Sequence, residues 1–339
     1  MKTILIAEPR HVGLQAMNIP QRQPGEALLK LLVGGICGSD LNIYRGHNAY
    51  VSYPRIPGHE FSAEIIEIDT NPQGLTPGMV VTCNPYFNCG GCYPCRRGLV
   101  NCCETNQTMG VQCEGAFREY LTMPLTRIYD GQGLDPVSLA LIEPFCISSH
   151  GTERAAVKAG ERVLIIGAGT IGMLAAMSAK SRGAHVTLTD IAQTKLDIAK
   201  GWVADEVFLN TSPAVFDREV ARLTHQEGYD VTIEAVGLPL TFQQSIDAAA
   251  FGGRVVLVGV SKENLDFNFT LIQKKELNVY GSRNAYERDF RDTIALVKKG
   301  GLDLSRIVTH TYKLAEAPQA FADFDANAAH MLKVMIDFR

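Results

Sequence analysis

The chain has 339 residues, and its 32 Lys and Arg against 36 Asp and Glu give a formal charge of −4 at pH 7. This near balance gives no reason to expect a nucleic-acid surface. Apolar residues at 46% and charged residues at 20% indicate a folded chain. The chain contains no apolar run of about 18 residues, the minimum for a membrane helix, and no signal-peptide pattern at its start. We therefore expect a two-domain protein of the cytoplasm.

The N-terminal part, residues 1–145, contains short apolar segments separated by Gly, Pro and Asn. The predicted strands include Lys2–Ala7, Ala27–Val33, Ala63–Ile68 and Met79–Thr82. Strands of this length at such intervals are typical of a barrel-like β domain. A short helix is expected to begin at Ser39-Asp40, where either side chain would cap it.

After residue 145 the pattern changes to a helix over 145–158 and then to alternating strands and helices. The predicted strands are Arg162–Ile166, Val186–Thr189, Val231–Glu234, Val255–Val258 and Leu277–Tyr280, with helices Ile171–Arg182 and Thr194–Lys200 between them. This alternation predicts a doubly wound parallel sheet. The tail has a predicted helix, Phe290–Lys299, and a last strand within Lys333–Phe338, which we place back on the first domain. The predicted domains are 1–147 with 287–339, and 148–286.

A glycine-rich loop follows the first strand of the second domain. It is the segment Gly167-Ala168-Gly169-Thr170-Ile171-Gly172, and a helix is predicted after it. A G-x-G-x-x-G in this strand–helix context indicates dinucleotide binding on a Rossmann fold. Gly167 would allow the tight turn, Gly169 the close approach of a pyrophosphate, and Gly172 close helix–strand packing. An ordinary strand–helix turn is the alternative.

The same loop predicts which nucleotide binds. Thr170 and Ile171 begin the helix, whose free N–H groups and positive dipole end favour phosphates. Asp190 ends the next predicted strand. An acid there accepts hydrogen bonds from ribose hydroxyls and repels a 2′-phosphate, which favours NAD over NADP. A solvated acid at a strand end is the alternative.

Four of the nine cysteines are close in sequence, in the pattern C-x2-C-x2-C-x7-C. They are Cys89, Cys92, Cys95 and Cys103. Four thiolates complete a tetrahedral zinc and leave no position for substrate, so this pattern predicts a structural zinc site. Cys102 in place of Cys103, an iron–sulfur cluster and disulfides are the alternatives; without a secretion signal, disulfides are disfavoured.

A second set of metal-ligand residues is dispersed along the chain. Cys37 is followed 22 residues later by His59-Glu60, and Glu143 precedes Pro144 near the domain boundary. A sulfur, an imidazole and a carboxylate make a plausible three-ligand zinc site with an open fourth position. Taken singly, none of these residues indicates a metal site.

The order of these motifs carries a resemblance that covers essentially the whole chain. G-I-C-G-S-D, G-H-E, the four-cysteine segment, E-P and G-x-G-x-x-G are similar to the zinc-dependent medium-chain dehydrogenase/reductase family. Within it the chain resembles sorbitol, threonine and sugar-acid dehydrogenases, and most closely the bacterial L-galactonate/L-gulonate 5-dehydrogenase group. Segments with counterparts in that group are Tyr44–His47, Ile142–Phe145 and Gly281–Asn284.

The resemblance implies a GroES-like β-barrel catalytic domain, a Rossmann NAD-binding domain and two zinc ions per chain. It implies Cys37 and His59 as ligands of the catalytic zinc, with Glu60 and Glu143 as exchangeable or water-mediated carboxylate ligands. Asp40 would accept the free N–H of His59.

The resemblance also implies a proton path. Ser39 would hydrogen-bond the substrate hydroxyl and pass its proton outward. Many relatives carry a relay histidine three residues after Ser39, where this chain has Asn42. Asparagine does not titrate near neutral pH, so His47 or water would take over, unless His47 is only a surface residue.

The implied activity is oxidation of a secondary alcohol of a sugar acid or polyol, best a hexonate, with NAD. Zinc with one thiolate and one carboxylate is nearly neutral, so a substrate carboxylate would need an arginine. The candidates are Arg283, which is best placed, Arg45, Arg55 and Arg118, and candidates for sugar hydroxyls are Asn48, Tyr50 and Asn284. Arg283 contacting the cofactor or forming an ion pair is the alternative.

Other activities remain open at this point. They are a sorbitol-like polyol, L-threonine or simple secondary alcohol dehydrogenase and, outside enzymes, a nucleotide-binding regulatory protein on the same fold. By resemblance we expect a homodimer or homotetramer, with no nucleic-acid or membrane partner.

Overall fold

Two units, each with its own core, make up the computed structural model, which describes residues 1–261 and 263–339. Unit 1 comprises Met1–Glu143 and Tyr286–Arg339, and unit 2 comprises Pro144–Ala285. These boundaries lie slightly earlier than the predicted ones, after residues 147 and 286. The helix expected over 145–158 in fact covers Ile142–Arg154, so the first boundary falls inside its first turn.

The first part of unit 1 consists of short strands with three short helices. The strands are β1 (Lys2–Glu8), β2 (His11–Ala16), β3 (Glu26–Ile36), β4 (Glu60–Glu67), β5 (Val80–Cys83), β6 (Tyr86–Phe87), β7 (Gln107–Thr108), β8 (Tyr120–Pro124) and β9 (Ile128–Asp130). The helices are α1 (Gly38–Tyr44), α2 (Tyr93–Arg96) and α3 (Pro136–Ala140). The four strands predicted here are present as β1, β3, β4 and β5. β3 is longer than predicted because Gly34 and Gly35 stay in the ladder with β4.

Unit 2 alternates strands and helices, as predicted. Its elements are α4 (Ile142–Arg154), β10 (Arg162–Ile166), α5 (Thr170–Ser181), β11 (His185–Asp190), α6 (Gln193–Ala199), β12 (Glu206–Leu209), α7 (Pro213–Thr224), β13 (Tyr229–Glu234), α8 (Pro239–Ala248), β14 (Ala249–Leu257), α9 (Thr270–Lys274) and β15 (Asn278–Gly281). The parallel sheet has the order β12-β11-β10-β13-β14-β15. This is the 3-2-1-4-5-6 order of a Rossmann sheet, so the predicted doubly wound fold is confirmed.

The C-terminal segment returns to unit 1. It contains α10 (Glu287–Lys298), β16 (Val308–Lys313), α11 (Ala317–Ala326) and β17 (Lys333–Asp337). β17 lies between β16 and β3 in a sheet of order β16-β17-β3-β4-β5-β9, with β8 also on β3. Val334 is the register partner of Ile36, and both are buried in one core with Phe61 and Phe117. The predicted return of the last strand is therefore correct.

The helices are short. The longest, α4, has 13 residues. Across residues 1–261 and 263–339, no helix has both the length and the apolar character needed to cross a bilayer.

Candidate metal centres and active site

The four cysteines of the lobe, residues 89–103, come together in the fold. Their sulfur atoms all lie within 4.8 Å of one another, and the Cys92 and Cys103 sulfurs are 3.9 Å apart. Tetrahedral zinc with sulfurs at about 2.3 Å requires sulfurs about 3.8 Å apart, so the geometry fits zinc. A four-iron cluster would hold each thiolate on a different iron atom, and a two-iron cluster would divide them between two iron atoms, so in both cases not all four sulfurs would lie this close together. Cys102 is exposed and lies outside the group.

The local backbone geometry favours metal binding by these thiols. Cys92 is the N-cap of α2, and Cys95 lies inside that helix. The N–H groups of Cys89 and Cys92 donate to the sulfurs of Cys103 and Cys89, each at 3.3 Å. Donation from the Gly91 N–H lowers the pKa of Cys89 to about 6, which favours the thiolate.

The dispersed set forms a second cluster in unit 1. One ligand atom each of Cys37, His59 and Glu60 lies within 4.8 Å of the other two. Cys37 follows β3 directly and Glu60 begins β4, and the two strands pair antiparallel with Gly35 opposite Glu60. The strand register therefore brings together residues that are far apart in sequence. His59 and Glu60 are buried, and the buried Nδ1 of His59 has no hydrogen-bond partner.

This donor set fits a zinc ion with three protein ligands and an open position. Burial lowers the pKa of His59, but the neighbouring Cys37, Asp40 and Glu143 raise it well above its ordinary value. The rise reflects an excess of negative charge around the imidazole, which a divalent cation would neutralise.

Asp40 does not play the role that the resemblance implies. Its carboxylate accepts hydrogen bonds from the backbone N–H groups of Cys37, at 2.9 Å, and Gly58, at 3.1 Å, not from His59. The reason is local: Asp40 is the third residue of α1, and its side chain reaches back to the N-cap as in a capping box. The N-cap is Cys37, so the predicted cap at Ser39 or Asp40 is wrong. Asp40 fixes the backbone beside two candidate ligands.

Ser39 has a buried hydroxyl without a hydrogen-bond partner in the described residues. It lies in the first turn of α1, two residues after Cys37. His47 is exposed, and its backbone N–H donates to the carbonyl of Asn42 at 2.8 Å. Because the Ser39 hydroxyl bonds to no side chain, the structure contains no direct Ser39–His47 link, and a relay through His47 stays a prediction.

Glu143 lies near this cluster but outside the group of three ligands. It is buried, and the hydroxyl of Tyr86 donates to its Oε1. Burial raises the pKa of Glu143 to about 7; Glu60 adds to the rise, whereas His59 and Tyr86 oppose it. Glu143 is therefore a neighbour of the three-residue group, and its role as a carboxylate ligand of the metal stays a prediction.

Two partners of the carboxylates were not predicted from the sequence. Tyr86 holds Glu143, and the ammonium of Lys333 pairs with Glu60. For Lys333 the sequence offered one signal, a charged residue at the start of an otherwise apolar strand. Tyr86 gives no such signal because tyrosine in a strand is ordinary.

The glycine loop has the conformation predicted for it. Gly167 has φ +106°, and a Cβ there would lie 2.7 Å from Val236 Cγ2. A Cβ on Gly172 would overlap the carbonyl oxygen of Gly167, whereas one on Gly169 would meet nothing within 4 Å. α5 begins at Thr170, so Thr170 and Ile171 lie in its first turn. Space is therefore left beside Gly169 and at the helix start.

Asp190 is tied to this loop. Its Oδ2 accepts from the Ala168 N–H at 2.6 Å and its Oδ1 from the Ala192 N–H at 2.8 Å. A carboxylate has about four acceptor positions, so ribose hydroxyls can still bind. The Asp190 side chain therefore stabilises the loop and is also a candidate ribose ligand.

The four candidate arginines have different surroundings. Arg45 pairs with Asp325, and Arg55 pairs with Glu114 at 3.0 Å. Both were predicted as substrate-carboxylate candidates, and these ion pairs argue against that role. Arg118 is half-buried, and burial lowers its pKa, while Arg283 is exposed after β15. Of the polar candidates, Asn48 accepts from the Tyr50 N–H at 3.0 Å, and Asn284 has φ +49°.

Comparison with known proteins identifies the family. Residues 23–131 match the alcohol dehydrogenase GroES-like domain, and residues 170–299 match the zinc-binding dehydrogenase domain. The chain belongs to the zinc-binding alcohol dehydrogenases. It is 35% identical to L-galactonate-5-dehydrogenase of Escherichia coli K12, over 100% of this chain and 99% of that one. This dehydrogenase is therefore an oxidoreductase of the zinc type, with the predicted GroES-like and Rossmann domains.

Among solved structures of similar chains, one contains NADH and another contains NADP. A chain described as a short chain alcohol dehydrogenase (rspB) of Escherichia coli CFT073, complexed with NADH, is 30% identical, with a TM-score of 0.92 over 100% of this chain and 99% of that one. A zinc-binding dehydrogenase of Sinorhizobium meliloti 1021 bound to NADP is also 30% identical, with a TM-score of 0.91 over 99% of each chain. Which nucleotide this dehydrogenase uses therefore depends on its own loop residues.

Proposed function

We propose that this dehydrogenase oxidises a secondary alcohol group of a sugar acid, a hexonate such as L-galactonate or L-gulonate, with NAD as hydride acceptor in the cytoplasm. The observation that carries the proposal is the cluster of Cys37, His59 and Glu60, a donor set that would hold a zinc ion and leave one coordination position open. The similarity to L-galactonate-5-dehydrogenase over the full chain supports the substrate class.

The residues of unit 1 would have different roles in the reaction: metal binding, proton transfer and positioning of the backbone. Cys37, His59 and Glu60 would hold a zinc ion, which when bound would supply a Lewis acid for the substrate hydroxyl, and a bound NAD would supply the hydride acceptor. Ser39 would accept a hydrogen bond from the substrate hydroxyl and, as it takes that proton, release its own hydroxyl proton to water. Its buried hydroxyl has no hydrogen-bond partner among the described residues. Asp40 fixes the backbone on either side of the site, at Cys37 and Gly58.

The nucleotide site lies in unit 2, at the glycine loop. Gly167, Gly169 and Gly172, with the N–H groups of Thr170 and Ile171, would hold the pyrophosphate. Asp190 would accept from the ribose, and Arg283, after the last strand of the sheet, would contact cofactor or substrate.

Cofactor choice is tested by Asp190→Ala. We expect the KM for NAD to rise about tenfold and the preference over NADP to shrink, because the substitution removes an acceptor for the ribose and a charge that repels the 2′-phosphate. kcat/KM with each nucleotide is the measurement. Asp205→Ala is a control, since the Asp205 carboxylate lies at the start of β11, away from Asp190 at its end, where it accepts from the Val186 N–H and from Lys180. A wild-type preference for NADP would contradict the assignment.

The hexonate hypothesis is tested by Arg283→Lys, which keeps the charge but removes the planar guanidinium. If Arg283 binds the substrate carboxylate, kcat/KM for the hexonate should fall about 10- to 150-fold, the equivalent of about 1.5–3 kcal/mol for a charged hydrogen bond. The matching polyol, which has no carboxylate, should be nearly unaffected.

The matched control for this test is Arg45→Lys, because Arg45 is already paired with Asp325. It should leave the ratio of hexonate to polyol activity unchanged. The panel is L-galactonate, L-gulonate, sorbitol, galactitol and L-threonine with NAD. A tenfold advantage of sorbitol or threonine over both hexonates would reject the sugar acid and leave the zinc-dependent mechanism standing.

Assembly is a further part of the proposal. β15 (Asn278–Gly281) is the last strand of its sheet order, and its other edge pairs with no strand among the described residues. Open sheet edges tend to pair with another chain. This supports a homodimer or homotetramer.

A further inference from the structure

Glu234, the last residue of β13, has a buried carboxylate. Only 2% of the residue is exposed. Its Oε1 accepts from the backbone N–H groups of Val236 and Gly237, at 2.8 and 2.7 Å, and from the Thr241 hydroxyl, at 2.7 Å. A buried carboxylate is costly unless it is well hydrogen-bonded. All three donors are uncharged and lie within seven residues of Glu234, so the loop after β13 must fold around the carboxylate.

The same residue joins a second loop through its backbone. The carbonyl oxygen of Glu234 accepts from the N–H groups of Val258 and Gly259, at 2.9 and 3.0 Å, in the segment that follows β14. A Cβ on Gly259 would lie 2.2 Å from the Gly237 nitrogen and 2.4 Å from Glu234 Oε2. The loops after β13 and β14 therefore touch around the Glu234 carboxylate, and the close approach requires a residue without a side chain at position 259.

These two loops adjoin the glycine loop of the candidate nucleotide site. The N–H of Ala235 donates to the carbonyl oxygen of Ile166, at 2.9 Å, and Ile166 directly precedes Gly167. A Cβ on Gly167 would lie 2.7 Å from Val236 Cγ2. Because β10, β13 and β14 are neighbours in the parallel sheet, the three loops lie together at its carboxyl edge, where doubly wound sheets bind ligands.

The two loops carry apolar side chains that are open to a ligand at this edge. Val236 is 43% exposed and Val260 is 84% exposed. A side chain on a loop is placed only as firmly as the loop itself, and ordering a loop during binding costs affinity. A buried group that fixes both loops beforehand therefore favours nucleotide binding.

We propose that Glu234 is a positioning residue for the nucleotide, whose carboxylate fixes the loops after β13 and β14 against the glycine loop before the nucleotide binds. The inference rests on the NAD site of the proposed function, and it assigns Glu234 no contact with the nucleotide. Its effect belongs to the affinity for the nucleotide and not to the chemical step.

Glu234→Ala tests the proposal because it removes the acceptor that all three donors share. We expect the KM for NAD and the Kd for NADH, the latter from fluorescence titration, to rise at least tenfold without a fall in kcat. The control is Thr232→Ala: its buried hydroxyl, two residues earlier in β13, donates to the Ser245 carbonyl in α8, at 2.9 Å, and reaches neither loop. Thr232→Ala should lower the unfolding temperature and leave both constants within twofold.

Two further variants separate loop geometry from charge. Glu234→Gln loses the charge but keeps an oxygen that accepts from all three donors, so we expect both constants to stay within threefold of the wild type. Gly259→Ala keeps the charge but forces Glu234 and Gly237 apart, so we expect the weakening seen with Glu234→Ala. This pattern across the three variants supports the proposal.

The contrary outcomes are distinct. A lower unfolding temperature with unchanged KM and Kd in Glu234→Ala would mean a purely structural role and overturn the proposal. Weakening in Glu234→Gln equal to that in Glu234→Ala, with Gly259→Ala normal, would assign the effect to charge and also overturn it. If the wild type prefers NADP, the same titrations are made with NADPH. A wild-type protein that binds neither nucleotide would instead reject the proposed function itself.

Discussion

Cys37→Ala is expected to lower kcat/KM at least about a thousandfold while the fold and one zinc per chain remain. The substitution removes the thiolate from a set of three ligands, and Lewis-acid activation contributes several kcal/mol, at tenfold for each 1.36 kcal/mol. Zinc content per chain, the unfolding temperature and kcat/KM are the measurements. The retained zinc should be that of the cysteine lobe, since Cys37 is not part of it.

The matched control is Cys113→Ala. Cys113 is a half-buried thiol of the same unit and belongs to neither cluster. It should keep two zinc ions and wild-type activity. Full activity with two zinc ions in Cys37→Ala would remove Cys37 from the catalytic site.

Local sequence patterns predict the fold well wherever one strand or helix carries its own signal. The alternation from Arg162 onward predicts the parallel sheet because each buried strand is a continuous apolar run. β12 (Glu206–Leu209) was missed, since four residues with an exposed Glu206 give no such run. The predicted cap of α1 was wrong because a cysteine holds the N-cap position, which residue preference does not favour.

The candidate site was predictable as a set of residue types but not as a set of contacts. Cys37, His59 and Glu60 meet through the register of β3 and β4. The spacing of these residues along the chain does not predict that register. Asp40 was expected to bind His59, but its two carboxylate oxygens accept from the backbone N–H groups of Cys37 and Gly58 instead. Arg45 was a candidate for binding the substrate carboxylate, but in the fold it pairs with Asp325, 280 residues later in the sequence.

The cysteine lobe is where loss of a metal should cost the most stability. Its regular structure consists of the four-residue helix α2 and a three-residue 3-10 turn, Val100–Cys102, and the two-residue strands β6 and β7 flank it. Such elements bury little apolar surface, so metal binding supplies much of the local folding energy.

Cys95→Ala should therefore release one zinc and lower the free energy of unfolding by more than about 4 kcal/mol, the range reached when a structural metal is lost. Protease cleavage within residues 89–103 should accompany the loss. Cys102→Ala is the control, because that thiol is adjacent but exposed and outside the group. If Cys102→Ala releases zinc and Cys95→Ala does not, the ligand assignment is wrong. If both variants keep two zinc ions, the lobe does not depend on its thiolates, and hydrophobic packing must hold it together.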